Sequence, residues 1–237
     1  MENWKKYQEE VAQLFKELGC IVEIEASVQG VRARHDIDVW VRFARFGIQQ
    51  AWAIECKLWQ RPIPKEKILA LKSVVEDVGA DRGILIAESG CQPGAHAAVS
   101  STNISLMSLN ELRESAKPEL LSLALIALHK RAVLVKELSF SLYDHEHWSD
   151  GKFHGGGSSR PKPGVDGKAV MNAVSNASVI LMGVERTQLG DFPVPIQFDN
   201  TGNKVVRSPN LESFVTRAER ILDDLEKVLK SQKVQKQ

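Results

Sequence analysis

The sequence predicts an α/β protein built on a mixed sheet flanked by helices, followed by an α+β extension. Three observations carry this expectation. Apolar residues in the first half switch between the helical period and the strand period. Three strand-like segments come in succession before strands begin to alternate with helices. A short continuous apolar run, Gly83-Ile84-Leu85-Ile86-Ala87, reads as a strand buried on both faces.

Taken in order, Tyr7, Val11, Leu14 and Leu18 recur at helical spacing, and Gly19 suits the helix stop. Residues 20–25 are short and β-rich, and residues 28–35 read as a turn-like stretch. In residues 36–43, Ile37, Val39, Val41 and Phe43 alternate with the others, which places Asp36 and Asp38 together on the opposite face. A turn around Arg45-Phe46-Gly47 leads to a strand over residues 51–57. There Trp52, Ile54 and Cys56 share one face while Ala53, Glu55 and Lys57 share the other. The period then changes: Ile68, Leu71, Val74, Val75 and Val78 mark a helix over residues 64–78, with Pro64 in its first turn and Gly79 closing it. A small-residue helix over 93–101 and a strand over 104–107 follow, and Ser108 and Glu111 stand at capping-box spacing before one more helix.

Beyond Lys117-Pro118 the character of the sequence changes, so residues 1–117 are expected to form one domain and 118–237 a second region. In that region, residues 120–128 read as helix, 143–168 as a long surface loop, and 177–183 and 194–198 as strands. A final helix from about Leu211 carries a stripe of Leu211, Val215, Ala218, Leu222, Leu225 and Leu229, which must pack on its own core or on a partner.

The chain of 237 residues is long enough for a substantial core. Its formal net charge is only +1, which excludes a polycation; any binding of nucleic acid must come from a local basic face. The first residues lead into a charged amphipathic pattern, and the most apolar stretch, residues 120–128, is too short to span a bilayer. A cytoplasmic protein with no secretory signal and no membrane partner is therefore expected. Cys20, Cys56 and Cys91 are odd in number and fit neither a disulfide framework nor a zinc knuckle, so buried thiols are expected. Asp144-His145-Glu146-His147 with His154 contains zinc-ligand types, but no matching ligands follow and the surroundings are glycine-rich, so a polar loop is the expectation. Gly155-Gly156-Gly157 lacks the strand-before, helix-after context of a phosphate loop.

The chemistry lies in the middle strands. If these pair as a hairpin around Gly47, Asp38, Glu55 and Lys57 converge on one patch of sheet. Two carboxylates can hold a hard divalent cation such as magnesium, and a lysine beside them can orient a water and offset developing negative charge. The same trio, without a metal, is an ion-pair network. Arg32, Arg34 and Arg42 flank the patch and Lys65 and Lys67 open the following helix; phosphate contact and ordinary solvated surface are both open to them.

The arrangement Asp38, then Glu55-Cys56-Lys57 on the next strand, resembles the PD-(D/E)xK motif of restriction-endonuclease-like nucleases, and within them the Mrr-like restriction endonuclease family. The resemblance covers roughly residues 4–115, with further echoes in Tyr7-Gln8-Glu9-Glu10-Val11-Ala12, in Gly30 with His35-Asp36-Ile37-Asp38-Val39, and in Gly79-Ala80-Asp81-Arg82-Gly83-Ile84-Leu85-Ile86. It implies a restriction-endonuclease-like αβββαβ core and an enzyme that hydrolyses phosphodiester bonds with Mg2+, Mn2+ serving as substitute. Asp38 and Glu55 become metal ligands and Lys57 the catalytic lysine. Gln8 stands where the family often has an acidic residue, and Asp36 and His35 become supporting residues. The resemblance implies DNA as the nucleic acid, a role in bacterial restriction or phage defence, and the option of a homodimer. The rival expectation is a non-catalytic nucleic-acid-binding module or an interaction subunit of a defence complex.

Overall fold

The computed structural model describes residues 3–144, 148–149, 152–153, 159–198 and 204–232. The chain divides into two compact units, Met1–Leu120 and Leu121–Gln237.

The first unit opens with α1 (Asn3–Glu17), followed by β1 (Ile21–Gln29), β2 (Arg34–Arg45), β3 (Ile48–Lys57), α2 (Lys65–Val78), β4 (Arg82–Ala87), α3 (Pro93–Val99), β5 (Ile104–Met107) and the start of α4 (Leu109–Ser141). The five strands form one sheet in sequence order. β1, β2 and β3 pair antiparallel, while β3, β4 and β5 pair parallel, so the sheet is mixed. One face buries Val39, Val41, Ile54, Ile84 and Ile86 against Tyr7, Val11, Leu14 and Phe15 of α1. The other buries Trp40, Ala53 and Leu85 against Ile68, Leu71 and Val75 of α2 and Ala95 of α3. β4 contributes to both clusters, which is why its sequence is apolar without alternation. Gly79 caps α2 in the left-handed conformation at φ 67°, as its place after Val78 led one to expect. The capping box is formed: Ser108 N–H donates to Glu111 Oε2 at 2.7 Å, and Glu111 N–H donates to Ser108 Oγ at 3.1 Å.

The alternation expected in β2 fails at one point. Ile24 pairs with Val39, on the α1 side, but Ala26 and Ile37, the next pair in the same register, pack into the α2-side core. Both strands exchange faces at the unpaired positions between them, Glu25 and Asp38. Glu25 adopts φ 52°, a left-handed conformation that turns the strand over. Ile37 therefore does not share a face with Val39, and Asp36 lies across the sheet from Asp38 rather than beside it.

The second unit contains the rest of α4, then β6 (Tyr143–Asp144), β7 (Trp148–Ser149), β8 (Lys152–Phe153), β9 (Arg160–Pro161), α5 (Gly167–Gln188), β10 (Val194–Phe198), β11 (Val205–Ser208) and α6 (Leu211–Lys230). Residues 177–183, expected as a strand, lie inside α5. Val179-Ile180-Leu181-Met182 reads as a strand in a short window, but the buried set Val170, Ala173, Ala177, Ile180 and Val184 is helical over the full length. The helix starts at Asp166, whose carboxylate accepts from Lys168 N–H and Ala169 N–H. The change of composition at Lys117-Pro118 does not end a helix either, since Pro118 lies within the 33-residue α4. The expected loop over 143–168 contains the short pairs β6–β9 and β7–β8; His145, His147 and His154 lie outside the described residues. The stripe on α6 packs into its own unit, with Phe214, Ala218 and Leu222 fully buried against α4, α5 and β10.

One position in this core tests the packing directly. A Cβ built on Gly183 would lie 2.4 Å from Phe214 Cε2 and 2.4 Å from the Pro195 carbonyl oxygen. Gly183→Ala gains about 1 kcal/mol of helix propensity but overpacks a site with backbone on one side. The net expectation is destabilisation by about 1–3 kcal/mol, read as a lower denaturation midpoint; an unchanged or raised midpoint would refute this close approach.

Candidate active site

β2 and β3 pair in continuous register from Arg45↔Ile48 at the turn to Val39↔Ile54. Beyond that pair the ladder stops. The next donor on β3, the Cys56 N–H, goes to the side chain of Asp38, whose Oδ2 accepts it at 2.8 Å. Asp38 thus occupies a notch between two diverging strands.

Lys57 closes the constellation. Its Nζ is ion-paired with Glu55 Oε1 and lies 3.9 Å from Asp38 Oδ2. The parallel partner strand explains the orientation: Glu55 and Lys57 lie opposite Leu85 and Ala87, on the α2 side of the sheet. The side chains of Asp38, Glu55 and Lys57 are 24, 30 and 18% exposed, so the trio sits at the sheet's rim, open to solvent but not surrounded by it. One ammonium against two carboxylates leaves the cluster with an excess negative charge. Hard oxygen donors with unbalanced negative charge at a solvent-reachable rim suit a divalent cation that keeps several of its waters. Among the described residues no group of three or more His, Cys, Asp or Glu side chains forms a metal cage.

Cys56, between the two, points to the α1 side with Ile54. Burial pushes its thiol well above the usual range, and Asp38 and Glu55 push it further in the same direction. Both effects disfavour the thiolate, the form in which a cysteine acts as a nucleophile.

Among the described residues, none of the other sequence-selected residues hydrogen-bonds or ion-pairs with the trio. Gln8 is buried in α1, the helix that covers the opposite face. Asp36 is exposed and pairs across to Ser27. Arg34 is exposed opposite Gln29, and Lys65 is exposed at the start of α2. His35 and Arg32 converge on a residue that sequence reasoning missed, Asp77 of α2. Its carboxylate is almost fully buried and accepts from Arg32 Nε at 2.8 Å, Arg32 N–H at 2.9 Å, Ala33 N–H at 3.1 Å and His35 Nε2 at 2.6 Å. The Arg32 bond, then the His35 bond, hold this carboxyl far below the usual carboxylate range. It is ionised and can only accept, so His35 Nε2 carries the hydrogen. A Cβ on Gly30 would meet Asp77 Oδ2 at 2.3 Å, so the loop approaches the carboxylate as closely as glycine permits. The only sequence cue to Asp77 was an acid set among the apolar positions Val74, Val75 and Val78.

A second missed pair lies on the α1 side. Tyr7 Oη donates to Glu88 Oε1 at 2.5 Å, and the same oxygen accepts Leu109 N–H at 3.1 Å. Burial and the Glu88 carboxylate raise the Tyr7 hydroxyl far above its usual range. The bond ties α1 to the end of β4 and the start of α4.

A five-stranded mixed sheet between helices, with Asp38 in the notch and Glu55 and Lys57 on the adjoining strand, defines a restriction-endonuclease-like fold. Residues 1–116 match the family model of the Mrr catalytic domain, described as restriction endonuclease. No curated protein matches the chain. Among solved structures, a protein of unknown function designated AF1548 is 15% identical with a TM-score of 0.41, over 96% of this chain and 99% of that one. The DNA modification-dependent restriction endonuclease AspBHI is 13% identical with a TM-score of 0.31, over 51% of this chain and 38% of that one. Among the described residues no helix is long and apolar enough to cross a membrane.

Proposed function

We propose that this chain is a divalent-metal-dependent endonuclease that hydrolyses phosphodiester bonds in DNA and works in bacterial restriction or phage defence. The observation that carries the reading is the meeting of Asp38, Glu55 and Lys57 where β2 and β3 part. The match of residues 1–116 to a restriction endonuclease family model supports the reaction class and DNA as the substrate.

Asp38 and Glu55 are the residues that hold Mg2+, with Mn2+ as substitute. A bound cation supplies a polarised phosphoryl oxygen and an acidified water. Asp38 is held in place by the Cys56 N–H, which fixes one carboxylate oxygen and orients the other. Lys57 presents a point charge on a flexible stem beside both carboxylates. Its ammonium holds the attacking water by hydrogen bonding and offsets the negative charge that grows on the phosphoryl oxygens. Glu55 keeps that ammonium at the rim rather than in bulk solvent.

Incubation with supercoiled plasmid, linear duplex and single-stranded DNA tests the reading. Cleavage of DNA is expected with Mg2+ or Mn2+, and its complete loss in excess chelator with recovery on adding either ion back. Cleavage that persists in chelator contradicts a metal-dependent site.

A further inference from the structure

The loop that leaves the site runs from the end of β3 at Lys57 to the start of α2 at Lys65, and it is braced along its length. Ile63 is fully buried; its N–H donates to the Gly90 carbonyl at 3.0 Å and its carbonyl accepts Gln92 N–H at 3.0 Å. The Arg61 carbonyl accepts Ser89 Oγ at 2.8 Å. These bonds fix the backbone on which Arg61 stands.

Trp59 packs partly into the α2-side core and presents its ring to two cations. The Arg61 guanidinium carbon lies 5.1 Å from the ring centroid and Lys67 Nζ lies 5.8 Å from it. Attraction to the ring quadrupole narrows the range of positions these long side chains sample. Their charge remains unspent: Arg32, Arg42, Arg45 and Arg131 are each ion-paired to a carboxylate, whereas among the described residues Arg61, Lys65 and Lys67 have no such partner. The cations are therefore oriented and left available for an external anion.

Their position says which anion. Arg61 follows Lys57 by four residues, so its Cα lies within about 14 Å of that of Lys57 by chain length alone. A DNA strand places a phosphate about every 3.4 Å along its axis, so this reach spans only the few phosphates beside the cleaved bond. We propose that Trp59, Arg61 and Lys67 form a grip on the phosphate backbone of the DNA strand next to the bond that is cut. The proposal rests on the nuclease reading above.

The test is equilibrium binding of a fluorescent DNA duplex to the full chain over a series of NaCl concentrations, in Ca2+ to suppress cleavage, alongside cleavage rates in Mg2+. Arg61→Ala/Lys67→Ala is expected to weaken binding on the order of tenfold and to flatten the slope of log affinity against log salt by about 2, near 0.9 for each lost phosphate contact. Cleavage at limiting DNA should fall in step with the lost affinity. Trp59→Leu, which keeps the charges but removes the ring, should weaken binding less and leave most of the slope. Lys16→Ala, on the exposed side of α1, should change neither. A double variant with wild-type affinity and slope, in a protein that binds and cleaves, overturns the grip and leaves the nuclease reading standing. A wild-type chain that neither binds nor cleaves DNA overturns both.

Discussion

Lys57→Ala is expected to lower the rate of DNA cleavage by about 10²- to 10³-fold or more, the loss usual for removing one charge-stabilising donor from an active site, while leaving the fold intact. The reasoning begins with the environment. Lys57 sits between Glu55 and Asp38 at a rim where all three side chains still reach water. Removing the ammonium leaves two neighbouring carboxylates, but solvent screens their repulsion, so stability should change little. The chemistry is not screened in this way, because charge develops on the phosphoryl oxygens directly in front of the missing ammonium. Single-turnover cleavage with circular dichroism on the same samples separates the effects. An unfolded variant would say nothing of the chemistry, so Lys57→Met, which keeps the aliphatic stem, is the companion. If both variants are folded and cut like wild type, the reacting groups lie elsewhere.

Asp77→Ala carries the second large effect, and it falls on stability. This carboxylate gathers two N–H groups and the side chains of Arg32 and His35 around one buried point, and so holds the β1–β2 loop against α2. Truncation leaves those donors without their acceptor, which is the costly side of hydrogen bonding. A drop in the thermal midpoint on the order of 5–10 °C is expected. The pH dependence has a definite sign. The carboxyl is depressed in the folded protein, so its contribution is fully present above the ordinary carboxylate pKa of about 3.9 and is lost as the pH falls below it towards the folded value. Acid unfolding of wild type should therefore draw part of its steepness from this residue. If Asp77→Asn unfolds in acid with an unchanged profile, the ionised form of Asp77 is not what holds the loop.

Much of the first unit was legible in the sequence because its signals are local. Period-two alternation in residues 51–57 placed Glu55 and Lys57 on one face, and the pairing of β3 with β4 puts them there. Ser108 with Glu111, Gly79 and the apolar run at 83–87 each mark their elements by chemistry that acts within a turn or a strand. What escaped was set by partners distant in sequence. Asp36 was placed beside Asp38 by an alternation that the Glu25 conformation breaks, and a glutamate with positive φ leaves no trace in a hydrophobic pattern. Asp77 is 45 residues from Arg32 and Tyr7 is 81 from Glu88, separations that no periodicity encodes. In the second unit, α5 was missed because four consecutive apolar residues dominate a short window, and only its full 22 residues reveal the helical stripe.

The exchange of faces at Glu25 and Asp38 sets regularity and usefulness against each other in this sheet. An unbroken ladder would have given the Cys56 N–H a backbone acceptor and turned Asp38 into one more paired strand residue. Selection for stability alone favours mending such flaws, through a residue at position 25 content with ordinary strand geometry and continuous pairing beyond Val39. Under the nuclease reading, that healed sheet is a blunter tool. Engineers seeking a hardier variant should leave this seam alone and look for their gains in the second unit.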